Sequence, residues 1–258
     1  MKKYAIVVRK SEDSFKIAED IKKQLNSFMD YDEINPEVVI SVGGDGTVLE
    51  SVHRYRDKNP IFVPLHTGTL GFFTAFQKNE IDLMVKALRC EILQYDERTL
   101  LEVKIYSDDV KTFYCLNEMR IDHGFSTQVI TVYINNELLE TFRGNGLCVS
   151  TDSGSTGYNK SLGGAVIYPG TNMMQLTEVA GIHHNAYRSL NSPLVLSDKE
   201  VIKLEGNNFK HLYVGMDNKS YQFDNVRYVE AKMSNQKVKI LANHQTFIDR
   251  IRKAYISE

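Results

Sequence analysis

Cysteine is scarce in this chain of 258 residues: Cys90, Cys115 and Cys148 are far apart and form no Cys-x-x-Cys pair. That excludes a disulfide framework or a zinc ribbon and fits a reducing compartment. Charge of one sign is lacking too. Lys and Arg total 31 against 33 Asp and Glu, a formal net charge of -2. Bulk electrostatics therefore points to neither nucleic acid nor an anionic membrane, and an anionic substrate has to be held by local donors. No apolar run approaches the length that spans a bilayer. The stretch from Met1 to Arg9 is too short in apolar residues for a signal peptide and has no cleavage site. The expectation is a cytoplasmic protein without a nucleic-acid or membrane partner.

Several catalytic signatures are missing as well. There is no Gly-x-x-x-x-Gly-Lys-Ser/Thr loop, and Gly144-Asn145-Gly146 runs on to Val149 where the dinucleotide fingerprint has its third glycine. Ser153-Gly154-Ser155-Thr156-Gly157 has the wrong spacing for a Gly-x-Ser-x-Gly elbow. His183 and His184 are adjacent, so their rings point in different directions, and no His-x-His or His-x-x-x-His accompanies them. A histidine metal site is not expected, and no metal ligands are assigned.

What is present divides in two. Tyr4–Val8, Val38–Val42 and Ile61–Leu65 read as buried strands. Between and after them, Phe15, Ala18, Ile21, Leu25 and Phe28 fall at helical spacing, as do Ile81, Met84, Val85 and Leu88, and Val48 to Arg54 reads as a helix. Such alternation implies a parallel sheet with helical cover, whose ligands bind at the carboxyl ends of the strands. Beyond Tyr95 the period changes to two. Leu101, Val103 and Ile105 alternate with polar residues, as do Ile130, Val132 and Ile134 before a hairpin turn at Asn135-Asn136. Val201–Leu204, Tyr213–Met216 and Tyr228–Ala231 read as further strands, with helix expected only near Tyr158 and Leu176. The reading is a Rossmann-like α/β domain over residues 1–97 and a mostly-β domain over 98–258, with 246–255 a short helix or a tail.

The chemistry concentrates in a few clusters. Gly43-Gly44-Asp45-Gly46-Thr47 follows a strand. Glycines there let backbone N–H groups approach phosphate oxygens. A carboxylate among them is unsuited to holding phosphate and suited to coordinating a metal or accepting a proton from an attacking hydroxyl. Taken alone, the loop is equally a plain turn. A second glycine loop, His66 to Gly71, follows the third strand. Asn117-Glu118 offers donors and acceptors for a ribose diol, or is a strand-end polar pair. Arg143-Gly144-Asn145-Gly146 precedes another strand. Thr151 to Tyr158 is dense in small hydroxyls, more than one helix cap requires, and reads as a nucleotide pocket wall.

In this order the clusters, with Gly163-Gly164, resemble the NAD kinase family in its compact bacterial form. The first motif is shared with diacylglycerol, sphingosine and phosphofructo-kinases; the stretch from Ser150 to Tyr158 is much more specific. The resemblance implies a phosphofructokinase-like α/β N-terminal domain, a β-rich C-terminal domain and an active site between them. It implies a homodimer or homotetramer whose pocket is shared between subunits. The implied reaction is phosphorylation of the 2′-hydroxyl of the adenosine ribose of NAD to give NADP, with ATP or polyphosphate as donor and a divalent cation, Mg²⁺. Asp45 would accept the hydroxyl proton, and Gly43, Gly44, Gly46 and Thr47 would hold the phosphates. Leu49, Phe72, Phe73, Asn117, Glu118, Arg143, Asn145, Ser153, Thr156, Gly157, Tyr158, Ser161, Ala180 and Asp217 would, with Asp45 and Gly46, contact NAD. Three residues depart from the pattern: Asn145 where Asp is usual, Asp152 where proline is usual, and Gly157 for alanine. Asp152 is expected to loosen the backbone and add a charge. Two other readings compete. A lipid kinase carries the same loop, but near-neutral charge and the hydroxyl-rich stretch speak against it. A non-catalytic NAD or NADP sensor is opposed by the intact Asp45.

Overall fold

The computed structural model describes residues 1–68, 71–91, 93–124, 126–207, 209–242 and 245–256. The chain divides into one unit made of Met1–Arg98 with Val238–Glu258, and a second made of Thr99–Lys237.

In the first unit the strands Lys3–Val8, Val38–Gly43 and Ile61–His66 pair in parallel, and all six residues of Val38–Gly43 are buried. A strand covered on both faces needs such an unbroken apolar run. The register sets Gly43 opposite His66. The two glycine loops thus leave the same carboxyl edge side by side. The helix Glu12–Leu25, capped by the Ser11 hydroxyl, buries Ser14, Ala18, Ile21 and Leu25. Phe15 sits one position off that stripe and is 52% exposed, and Phe28 lies beyond the helix end. Ile81–Cys90 buries Met84, Val85 and Leu88. These side chains meet Tyr4, Ile40, Val63 and Leu65 in one core.

The division differs from the expected one at the C-terminal end. The strand expected at Tyr228–Ala231 runs on to Leu241, and Lys239 and Ile240 pair in parallel with Ile61 and Phe62. The ambiguous last segment is a helix, Phe247–Tyr255, started by a capping box between Thr246 and Asp249. Arg250 on it donates to the Phe72 carbonyl. Backbone pairing and this contact tie the strand end at Lys239 and Ile240 and the helix Phe247–Tyr255 to the first unit.

The second unit is strand-rich. Gln128–Ile134 and Glu137–Gly144 form the expected hairpin, with Asn135 and Asn136 at φ 52° and 67°, the left-handed pair a two-residue turn needs. Six antiparallel strands make a sheet in the order Leu194–Leu196, Met174–Val179, Gly146–Thr151, Glu118–Asp122, His211–Met216 and Lys219–Asp224. Leu176, expected near a helix, lies in this sheet between two partner strands. Near Tyr158 the expectation matches short helical turns, Ser153–Thr156 and Tyr158–Ser161. Alternating residues such as Val103, Ile121, Ile130, Val132, Leu147 and Val214 supply the core. No helix among the described residues is long and apolar enough to cross a membrane.

Candidate active site

The carboxyl edge of the first unit presents Asp45. The helix after the glycine loop begins at Asp45 itself, not near Val48, because extended Gly44 serves as its N-cap. A carboxylate in a first helical turn is favoured by the unpaired N–H groups there. The Asp45 side chain turns toward the second loop, where Oδ2 accepts from the Phe72 N–H at 2.9 Å and Oδ1 from the Phe73 N–H at 3.2 Å. Burial pushes the Asp45 pKa above its ordinary value of 3.8. The two N–H donors and the charges of His66 and Arg250 oppose that shift. The result is a carboxylate more basic than usual, fixed in orientation.

The glycines around it serve different ends. A Cβ on Gly43 would lie 2.1 Å from Thr47 Oγ1, so this glycine makes room for the buried threonine within the loop. Gly46 is exposed, and among the described residues no heavy atom lies within 4 Å of where its Cβ would be. Among the described residues, packing does not demand a glycine there. Gly71 is the glycine that packs against the Asp45 carboxylate itself. Its Cβ would come within 2.5 Å of Thr74 Oγ1, 2.6 Å of His66 Cδ2 and 2.8 Å of Asp45 Oδ1. Gly71→Ala is therefore expected to displace the Asp45 carboxylate. It should cost about 1–3 kcal/mol as an overpacked site and at least about tenfold in kcat. Thermal melts and steady-state kinetics on one preparation check both. The neighbouring Thr69 and Leu70 of the same loop lie outside the described residues.

In the second unit Asn117 and Glu118 stand where one strand gives way to the next. The Asp217 carboxylate organises them: it accepts from the N–H groups of Leu116, Asn117 and Glu118 at 2.9, 2.7 and 3.2 Å. Asp217, expected at a ligand, thus scaffolds the turn that presents the two candidate ligand residues. Glu118 is 5% exposed, and its Oε2 and the Asn117 Oδ1 have no hydrogen-bond partner among the described residues. Buried polar atoms are normally partnered, by protein or by ordered water, so these two can accept a water or a ligand. Burial, then the Asp217 charge, raises the Glu118 pKa to about 8, with Arg120 opposing. Gly157 lies beside both groups: its Cβ would sit 3.6 Å from Asn117 Nδ2 and 3.7 Å from Glu118 Oε2. Arg120 reaches Glu118 Oε1 at 3.6 Å and lies over the Tyr158 ring at 4.7 Å, while the Tyr158 hydroxyl donates to Asp122 at 3.2 Å.

A second cluster forms where Asn145 N–H donates to Val179 O at 2.9 Å and Ile182 N–H to Arg143 O at 2.8 Å. Ala180 there holds φ at 46°, a strained value for alanine. Gly144 admits this approach, since its Cβ would lie 2.6 Å from Ala180 O, and Gly146 presses on Ile121 O in the same way. These two glycines serve strand packing. The structure gathers Arg143, Asn145 and Ala180, but leaves Leu49 buried in its helix and Ser161 exposed on a turn.

Two family models match this chain, the ATP-NAD kinase N-terminal domain over residues 3–89 and the ATP-NAD kinase C-terminal domain over 116–242. Curated NAD kinases of Streptococcus pneumoniae are 35% identical over 265 residues, covering 100% of this chain and 97% of their own length. The chain belongs to the NAD kinase family. Among solved structures, a yeast NADH kinase complexed with NADH has a TM-score of 0.89 at 16% identity, over 100% of this chain and 89% of that one. An NAD kinase from Archaeoglobus fulgidus in complex with ATP scores 0.78 at 21% identity, over 99% and 97%. At such identities these two similarities concern the fold.

Within an NAD kinase framework the hydroxyl-rich stretch reads differently from its composition. Thr151 Oγ1 donates to Leu116 O at 2.6 Å, and Ser155 Oγ donates to Asp152 O at 2.7 Å and accepts from Ile167 N–H at 3.0 Å. Gly154 has no room for a Cβ, which would meet Asn117 O at 2.2 Å. Much of this polarity ties the turn to Asn117 from behind. Asp152, expected to loosen the backbone, does the opposite. It is buried, and Oδ2 accepts from the N–H groups of Gly170 and Asn172, both at 2.9 Å. Its charge is used internally, as a clamp on the 170–172 turn.

Four neighbours of Asp45 were given no role from sequence: His66, Gly71, Arg250 and Tyr255. The first two sit in the second glycine loop, and pairing of adjacent parallel strands is the signal that could have found them. Nothing local marks Arg250 or Tyr255. Arg120 was legible: it follows Glu118 by two on a strand, hence on the same face.

Proposed function

We propose that this chain transfers the γ-phosphoryl group of ATP to the 2′-hydroxyl of the adenosine ribose of NAD, with Asp45 accepting the hydroxyl proton. The observation that carries the assignment is the Asp45 carboxylate, oriented by the Phe72 and Phe73 N–H groups at the end of the glycine loop. The hydroxyl oxygen forms the new P–O bond, its proton passes to Asp45, and ADP leaves. Little else is asked of the protein in phosphoryl transfer beyond positioning and charge neutralisation. The loop at Gly43–Thr47 serves the donor phosphates. The divalent cation would enter with the nucleotide, as MgATP, since Mg²⁺ binds through substrate phosphates, waters and at most one or two carboxylates.

Asn117 Oδ1 and Glu118 Oε2 supply the nucleoside contacts, supported by their lack of hydrogen-bond partners among the described residues. With its pKa near 8, Glu118 keeps its proton at neutrality and donates to the ligand. Ionisation removes that donor, so KM for NAD is expected to rise as pH passes about 8. Glu118→Gln, which keeps a donor at every pH, should abolish the rise; a pH series of KM for both proteins checks it. Arg143, Asn145, Ser153, Thr156, Gly157, Tyr158 and Ala180 complete the NAD surface in this reading, in a cytoplasmic homodimer or homotetramer. Incubating the protein with NAD, MgATP or polyphosphate, and reading NADP with an NADP-specific dehydrogenase, tests the function. A protein that instead phosphorylates diacylglycerol, or binds NAD without turnover, would overturn it.

A further inference from the structure

Among the described residues, the C-terminal helix meets the peptide segment that holds Asp45. Arg250 is 8% exposed, and its guanidinium donates to the Phe72 carbonyl. The N–H of Phe72 and the next N–H, of Phe73, are the two donors to the Asp45 carboxylate. The Phe72 ring is covered by the same helix. It stacks on Tyr255 at 5.9 Å between centroids with 26° between planes, and packs against Phe247 at 6.3 Å. One helix therefore grips residue 72 by its carbonyl and by its ring.

We propose that Arg250 is a positioning residue for the phosphoryl transfer: by anchoring the Phe72 carbonyl it aims the two N–H groups that orient Asp45. The inference rests on the reading of Asp45 as proton acceptor. A buried guanidinium is a costly device for merely docking a terminal helix, since apolar residues of similar volume do that as well or better. What an apolar residue lacks is a fixed donor for the carbonyl and a positive charge facing Asp45. The groups that bear on Asp45 come from three elements. His66 comes from the third strand, the Phe72 and Phe73 amides from the following loop, and Arg250 and Tyr255 from the terminal helix. His66 and Arg250 favour the ionised carboxylate, while burial opposes it. The Tyr255 hydroxyl, its own pKa raised by burial and by the Asp45 charge, stays neutral. Removing Arg250 leaves His66 and the amides to oppose burial, so Asp45 takes up its proton at higher pH.

Three variants separate anchor from charge. Arg250→Lys keeps charge and stem and loses the fork; Arg250→Gln keeps a donor and loses the charge; Arg250→Met loses both. The measurements are the acidic limb of kcat against pH and the titration of the Asp45 carboxyl carbon by NMR. For Arg250→Met and Arg250→Gln the limb and the carboxyl titration are expected to move together to higher pH. Each unit of movement is an about tenfold drop in kcat on the acidic side, with a smaller loss on the alkaline plateau. Arg250→Lys should restore the limb and keep only a plateau loss. A purely structural role predicts equal loss at every pH and an Asp45 titration unchanged in all three, which would overturn the proposal. If the carboxyl titration moves in Arg250→Met or Arg250→Gln while the kinetic limb stays, Arg250 acts on Asp45 as inferred and it is the base assignment that fails. Should Arg250→Met not fold, Arg250→Gln gives the same decision.

Discussion

Asp45→Asn is expected to lower kcat by about 10²–10⁴-fold, the usual worth of a positioned base, with little change in KM for NAD. The same substitution should leave the melting temperature unchanged or raise it near neutrality. The reason lies in the sign of the pKa shift. The folded protein holds the Asp45 pKa above the ordinary 3.8, chiefly by burial. A carboxyl whose pKa is raised on folding contributes most below its unfolded value, and that contribution is lost as pH rises through the folded value. Near neutrality the charge is carried at a cost to stability, and a neutral amide removes that cost. Against this, the amide can accept only one of the two N–H groups from Phe72 and Phe73 and turns a donor toward the other. Burial is the largest cause of the shift, so its relief is expected to prevail. Loss of turnover with an unimpaired melt is the signature of a group kept for chemistry. Wild-type turnover in Asp45→Asn would remove the base assignment.

Asp217→Ala should be the most damaging single change in the second unit. Three backbone N–H groups lose their acceptor at once, and each orphaned buried donor costs about 1–3 kcal/mol. Alanine is also strained at the φ of 52° found there. A loss on the order of 3–5 kcal/mol is expected, read by chemical denaturation, together with a raised KM for NAD as Asn117 and Glu118 lose their support. Asp217→Asn should be milder, because asparagine keeps an acceptor and tolerates the left-handed conformation. It carries a distinct mark. The Asp217 charge helps to raise the Glu118 pKa, so removing it should move the alkaline rise in KM to lower pH. An unshifted rise would separate Glu118 from the pH dependence.

How much of this was legible beforehand depends on range. The parallel strands were visible as apolar runs, and the hairpin at Asn135-Asn136 as two residues tolerant of positive φ, because both signals are local. Leu176 was misplaced because a short apolar stretch does not distinguish a buried strand from helix. Phe15 was put on an apolar face it does not occupy, since spacing cannot tell a stripe from its neighbour one residue away. The length of the Tyr228–Leu241 strand was hidden by its polar run at 234–237, and only pairing with Ile61 and Phe62 reveals its end.

The chemistry separates along the same line. Local order in the chain determined that a carboxylate stands among glycines after a buried strand, that Asn117 and Glu118 are adjacent, and that small hydroxyls crowd residues 150–158. Those follow from which residues are neighbours. Tertiary structure decided what each is free to do. Asp217, Asp152, Thr151 and Ser155 all offer polar atoms that the fold engages internally, whereas Glu118 Oε2 and Asn117 Oδ1 have no hydrogen-bond partner among the described residues. Arg250 stands 178 positions from Phe72 in the chain. Which atoms end up without partners, and which charge bears on Asp45, depend on contacts between distant segments that no spacing along the chain records.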